Sequence, residues 1–166
     1  MDKPELLRIL TDAHAELRSA IGALPDAEFE AEAMPGWTRR DIVAHIEWWE
    51  NHSADVLRAL DAGREPYSRL EPFDPDGLNA QTLADNRDRT ASDVKSGEAA
   101  AWDRLSRLLA AAAEADLFAA GRFAWLGGDP FVGMLRADTD EHWAEHLPHL
   151  IPGAMPVTGE AETRAD

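Results

Sequence analysis

Thr139-Asp-Glu-His142-Trp-Ala-Glu-His146-Leu-Pro-His149-Leu150 is the stretch from which the fold of this 166-residue chain is best read. At ~100° per residue on a helix, His142, His146 and His149 fall within about 60° of one another and share one face. Half of the six histidines lie here. Residues at i and i+4 stand roughly 5–6 Å apart at Cβ, so His142 and His146 can hold one metal ion between their ring nitrogens. Such a pair still needs a third ligand. The best remote candidate is His45, inside the helical stretch Asp41 to Asn51, although His52 lies two turns further along the same stripe and spacing alone does not choose between them. An i,i+4 histidine pair is more often structural than ligating. Nor is this the zincin order, because the acid, Glu145, comes directly before the second histidine. Pro148 must kink or end the helix, and an end there takes His149 off the shared face.

Working outward, the other periodic stretches are also helical. Asp2 and Glu5 have capping-box spacing, and Leu7, Leu10, His14, Leu17, Ile21 and Leu24 then recur at threes and fours, predicting a first helix from about Lys3 to Leu24. His14 on that seam can point at the core, although the commoner reading is a histidine at the margin with its nitrogens satisfied. Pro35 and Gly36 mark a connection from which Phe29 and Met34 fold back onto the core. Thr38 with Asp41 starts a second helix that runs to about Ala62 before Gly63, and of the adjacent Trp48 and Trp49 only one can face the bundle centre. Arg64 to Pro75 holds three prolines and reads as a long connection. A third helix begins near Asp76, with a break near the capping pair Thr90 and Asp93, and ends near Glu114. The aromatic segment Leu117 to Gly128 packs over one end. Asp129-Pro130 opens the fourth helix, which carries His142 and His146.

No strand alternation or hairpin turn signal stands out, so the expected fold is all-α, a four-helix bundle with a long connection between helices 2 and 3. Residues 1–151 form that one domain and 152–166 an acidic, flexible tail. Thirty-two carboxylates against sixteen Lys and Arg give a net charge of -16, which repels phosphate backbones and anionic membranes and predicts neither nucleic acid nor membrane as partner. With no cysteine, the chain has no thiolate ligand or nucleophile of its own. The first residues lack a signal-peptide core and no 18-residue apolar run occurs, so a soluble, cytoplasmic protein is expected.

His45 with His142 and His146 supplies three neutral nitrogens and leaves a coordination position open, the donor set of catalytic zinc and of some nickel or iron sites. Gly36-Trp37-Thr38, Asp41-Ile-Val-Ala-His45-Ile-Glu-Trp-Trp49, Asp76-Gly-Leu-Asn79, Asn86-Arg87 and Asp138-Thr-Asp-Glu-His142-Trp-Ala-Glu145-His146 together resemble the ClbS/DfsB family of the DinB-like superfamily. The resemblance covers roughly residues 3–150 and implies a DinB-type four-helix bundle, often dimeric. It implies a divalent metal, zinc or nickel, on one histidine of helix 2 and two of helix 4, positions that match His45, His142 and His146. It further implies kinship with bacillithiol- and mycothiol-dependent transferases and isomerases, and with a resistance protein acting on an electrophilic genotoxin. Trp143 stands where that branch usually has tyrosine.

The expected function is therefore binding of a reactive, electrophilic small molecule with its hydrolysis or opening, water being activated by metal or by Glu145 or Glu47. Trp37, Trp49, Tyr67, Trp143 and Asn79 are the expected pocket residues. A sequestering binder and a metal-dependent thiol transferase are the alternatives.

Overall fold

The computed structural model describes residues 1–66 and 74–153. Helix α1 (Lys3–Ala23) starts where the sequence predicts, with Asp2 accepting from the Glu5 amide at 2.9 Å. Its buried stripe is Leu6, Leu10, His14, Leu17 and Ile21; Leu6 takes the innermost place and Leu7 is only half-buried. A short α2 (Asp26–Phe29) folds Phe29 fully into the core.

The connection expected next is instead a small antiparallel hairpin, β1 (Glu32–Met34) with β2 (Trp37–Thr38). Two- and three-residue strands are too short to show alternation, which is why the sequence conceals them. Gly36, at φ 79°, supplies the left-handed residue that the turn after Pro35 requires.

Thr38 ends the hairpin and caps α3 (Arg39–Asp61) in one residue. Its hydroxyl accepts from the Asp41 amide at 3.2 Å, and the Asp41 carboxylate accepts from the Thr38 amide at 2.9 Å. Because this reciprocal cap fixes the start of the central helix, Thr38→Ala is expected to lower stability by about 1–2 kcal/mol. Urea unfolding measures it; an unchanged midpoint would show that the cap is dispensable.

The third predicted helix is two, α4 (Pro75–Asp85) and α5 (Ala91–Ala111), and the second starts at the foreseen capping box of Thr90 and Asp93. Gly97 on α5 has a specific reason: a Cβ there would meet the Glu47 carboxylate and the Arg89 guanidinium at under 3 Å. After α6 (Glu114–Phe118) and a 3-10 turn at Ala124–Leu126, the fourth helix is also divided, into α7 (Phe131–Ala137) and α8 (Asp140–Leu150).

The division falls at Asp138–Thr139, not at Pro148. Thr139 is wholly buried with ψ at -104°, and its hydroxyl donates to the Leu135 carbonyl at 2.6 Å, which satisfies that polar group inside the core. Pro148 sits in the last turn of α8, where it removes the one amide that would have donated to the Ala144 carbonyl and the helix continues only two residues further. Buried Arg39 donates through Nε to the His149 carbonyl at 3.1 Å and through Nη1 to Glu28, so that helix end is pinned to α2 and α3.

The bundle is built from α1, α3, α5 and the α7–α8 pair. Helix α3 packs most extensively on α5, and α1 on α8. Trp143, Phe29, Phe131, Leu105 and Ile42 are among the fully buried side chains. Trp49 rather than Trp48 faces inward, as two rings about 100° apart require. Among the described residues no helix is long and apolar enough to cross a membrane. The residues expected to form the tail lie outside the described ones from 154 on, as does Tyr67.

Candidate metal centre and cleft

Helix α3 presents His45 and α8 presents His142 and His146 to a common point. The Nε2 atom of His142 is 2.9 Å from that of His45 and 2.9 Å from that of His146. His52 is not part of this group; its ring stacks on Trp48 at 5.1 Å, so the ambiguity between the two stripe histidines is resolved in favour of His45. His149 also stays out, although the helix does continue through Pro148.

Burial holds all three imidazoles neutral. It brings His45 down to about 4, with the charge of His146 adding; His142 to about 3, with His146 and His45 adding; and His146 to about 4, with His149 adding.

Each neutral Nε2 carries either one proton or one lone pair, so the central His142 nitrogen can satisfy only one of its two close contacts by hydrogen bonding. A cation between the rings would accept all three lone pairs at once. Tetrahedral bonds of ~2.0–2.2 Å place neighbouring donor nitrogens roughly 3.3–3.6 Å apart, a few tenths of an ångström wider than the 2.9 Å seen here and within reach of small side-chain rotations. The three side chains therefore fit a divalent metal. None of their Nδ1 atoms has a hydrogen-bond partner among the described residues, so the carbonyl or carboxylate that usually orients a ligating histidine is missing.

The cluster opens on a cleft of about 420 Å³, within the range of small-molecule sites. Trp37 comes from the hairpin, His45 from α3, Asp76 and Asn79 from α4, and His146 from α8. Trp37 meets His45 edge-on at 5.5 Å. Trp49 stands behind the triad, 6.2 Å from the His45 ring and 5.8 Å from that of His142, and does not line the cleft.

Besides Trp49, expected in the pocket and found behind the triad, three expectations need correction. Trp143 is in the core, 2% exposed, against His14 and Trp102, because the position after His142 turns about 100° away from the metal face. Glu145 is exposed on α8 and lines no part of the cleft. Glu47 lines a separate cavity of about 210 Å³ with Trp48, His52 and Arg89. Its carboxylate is held by Arg89 Nη1 at 2.7 Å, while burial raises its pKa.

Sequence reasoning missed a second buried group. Far from being at the margin, His14 is 5% exposed, with Nε2 2.7 Å from a Glu98 oxygen, and Glu50 lies beside it.

Fold and site together define a DinB-like helical bundle with a histidine triad at the floor of a cleft. A family model for the mycothiol maleylpyruvate isomerase N-terminal domain matches residues 10–147, and the chain belongs to that family. A comparison with curated proteins finds no match.

Among solved structures, the sibling lethal factor precursor DfsB is similar at a TM-score of 0.76 and 16% identity, covering 90% of this chain and 93% of that one. The colibactin self-resistance protein ClbS, solved in complex with a dsDNA, gives 0.77 and 13%, covering 90% and 93%. The mycothiol-dependent maleylpyruvate isomerase gives 0.74 and 17%, covering 96% of this chain and 64% of that one. At these identities the likeness establishes the fold.

The DNA complex also overturns the exclusion of nucleic acid drawn from net charge. A protein of this fold binds duplex DNA, and a sum over the whole surface does not decide what one face can contact.

Proposed function

We propose that this chain is a metal-dependent enzyme that brings an electrophilic small molecule and a thiol cosubstrate together in the cleft. The observation that carries the reading is the convergence of three neutral Nε2 atoms at the floor of a cleft with an aromatic wall and polar Asp76 and Asn79. His45, His142 and His146 would hold the ion, which when bound lowers the pKa of a thiol or water and polarises a substrate oxygen.

The chain's own residues supply the rest. Trp37 gives a flat apolar surface for an unsaturated substrate, Asn79 offers both a donor and an acceptor, and Trp49 shields the ligands from behind. Two features favour a thiol over water as nucleophile. Family membership supports it, and neither Glu145 nor Glu47 lines the cleft, which leaves Asp76 as the one carboxylate among the described lining residues. Without cysteine, the thiol must come from solution.

The test is turnover of an electrophilic probe in excess over protein, with zinc or nickel added or chelated, and with or without a small thiol. Multiple turnovers that need both metal and thiol are expected. Turnover without thiol would establish hydrolysis instead, and binding without turnover would leave a sequestering protein. Duplex DNA, the ligand found with ClbS, belongs in the same assays as a direct binding measurement.

A further inference from the structure

His14 on α1, Glu50 on α3 and Glu98 on α5 meet inside the bundle, away from the cleft residues. They are 5%, 0% and 0% exposed, and one ligand-capable atom from each lies within 4.8 Å of the other two. The His14 Nε2 atom is 2.7 Å from Glu98 Oε1 and 4.0 Å from Glu50 Oε1. The second Glu98 oxygen accepts from Arg18 Nη1 at 2.6 Å. Stacking on Trp102 at 4.2 Å and an edge contact with Trp143 at 5.5 Å fix the His14 ring in plane and direction.

Glu50 is the anomaly. Neither of its oxygens has a hydrogen-bond partner among the described residues, although the side chain is wholly buried and one oxygen points toward His14. A buried, unpaired carboxylate is among the most costly groups a core can contain. Arg18 offsets one of the two carboxylates and leaves the other uncompensated. A proton on Glu50 removes the charge but leaves both oxygens without a protein partner at these distances. A cation removes the charge and occupies the oxygens together.

We infer that His14, Glu50 and Glu98 form a second, interior site for a divalent cation, separate from the histidine triad and independent of the catalytic reading above. Its donors are one imidazole nitrogen and carboxylate oxygens, a mixed set suited to zinc, manganese or ferrous iron rather than to calcium or magnesium. Arg18 is the outer partner that orients Glu98, and its side chain, 41% exposed, marks the route from solvent. The ion ties together α1, α3 and α5, whereas the triad ties α3 to α8, so the role we assign to it is structural.

The experiment uses the full chain without a histidine tag, stripped by chelator and equilibrated with zinc or manganese alone, with bound metal measured per chain. The His142→Ala background removes the first site. There, about one equivalent of metal should remain and should fall to near zero on adding Glu50→Gln, with the metal-induced rise in melting temperature lost in step. Should the Glu50 variant fail to fold, His14→Gln in the same background is read in the same way. The inference is overturned if the His142→Ala protein binds no metal, or if Glu50→Gln or His14→Gln leaves its stoichiometry unchanged. Metal lost in the His142→Ala protein but retained by the unaltered chain would overturn this site and leave the triad standing.

Discussion

His142→Ala is expected to abolish tight metal binding at the cleft and, with it, turnover. His142 is the hub of the triad, its Nε2 atom 2.9 Å from both partners, so its loss removes a donor and leaves the other two without their shared neighbour. If ~10–16 kcal/mol of binding is spread over four ligands, one ligand is worth about 3 kcal/mol, or on the order of 10²-fold in affinity. The same geometry sets the pH range. Because burial keeps these rings neutral down to about 4, 3 and 4, protons compete for the nitrogens only in that region, and the triad should hold its ion at pH 5, where an exposed histidine site has lost most of it. His52→Ala is the control, since that ring stacks on Trp48 outside the triad. Metal titrations of the two variants at pH 7 and pH 5 decide the matter. Wild-type affinity in the His142 variant would remove the triad from consideration as a metal centre.

Asp138→Asn should stabilise the protein strongly, and only at high pH. Asp138 lies at the α7–α8 junction with one oxygen 3.4 Å from the Ser53 hydroxyl, and burial pushes its carboxyl up from 3.8 to about 7, the Ser53 bond opposing. The unfolded chain releases this proton near 3.8 and the folded chain only near 7. Between those values the folded state holds the extra proton, so the cost to stability is absent below about 4, grows through the window and is complete above 7. About three units at 1.36 kcal/mol each make that cost roughly 4 kcal/mol, which an uncharged asparagine escapes while its carbonyl still accepts from Ser53. Urea unfolding at pH 4 and pH 8.5 should show no gain at the first and nearly the whole gain at the second. An equal gain at both would trace the effect to packing rather than ionisation.

The main helices were legible because their start signals are chemical and local. Asp2, Thr38 and Thr90 each cap the helix that their spacing to an acidic residue announces, and the stripe through Ile42, His45 and Trp49 does face inward. The i,i+4 pair His142 and His146 was legible for the same reason, whereas the choice of His45 over His52 on the apolar stripe came from the family resemblance and is decided by the fold. The divided fourth helix was not legible, since nothing local to Asp138 and Thr139 forbids a continuous helix and the break depends on burying a threonine. The hairpin escaped notice because strands this short carry no period.

Glu98 left a readable trace. It occupies the place between Val94 and Ala101 on the buried stripe of α5, where an acidic residue interrupts an apolar pattern. Glu50 stands likewise one turn before buried Ala54. Charge at such positions is ordinarily read as solvated, and only the tertiary arrangement shows that both carboxylates face His14. The cleft, by contrast, is assembled from a hairpin and three helices far apart in the chain, so the choice of Trp37 and Asn79 over Trp143 and Glu145 could come only from the fold.

The pairing of α1 with α8 bears on how the protein is made. On a ribosome the first helix leaves the tunnel long before the last one is synthesised, and its apolar face, centred on Leu6, Leu10 and Leu17, meets α5 only in part and lacks its more extensive partner until residues 140–150 emerge. The α3–α5 pair can form meanwhile, so a nascent chain passes through a stage with half a bundle and an uncovered groove. His142 and His146 arrive with that closing helix. Completion of the core and completion of the histidine cluster are thus one event, and a chain stalled before it exposes a sticky α1 face to its neighbours and to chaperones.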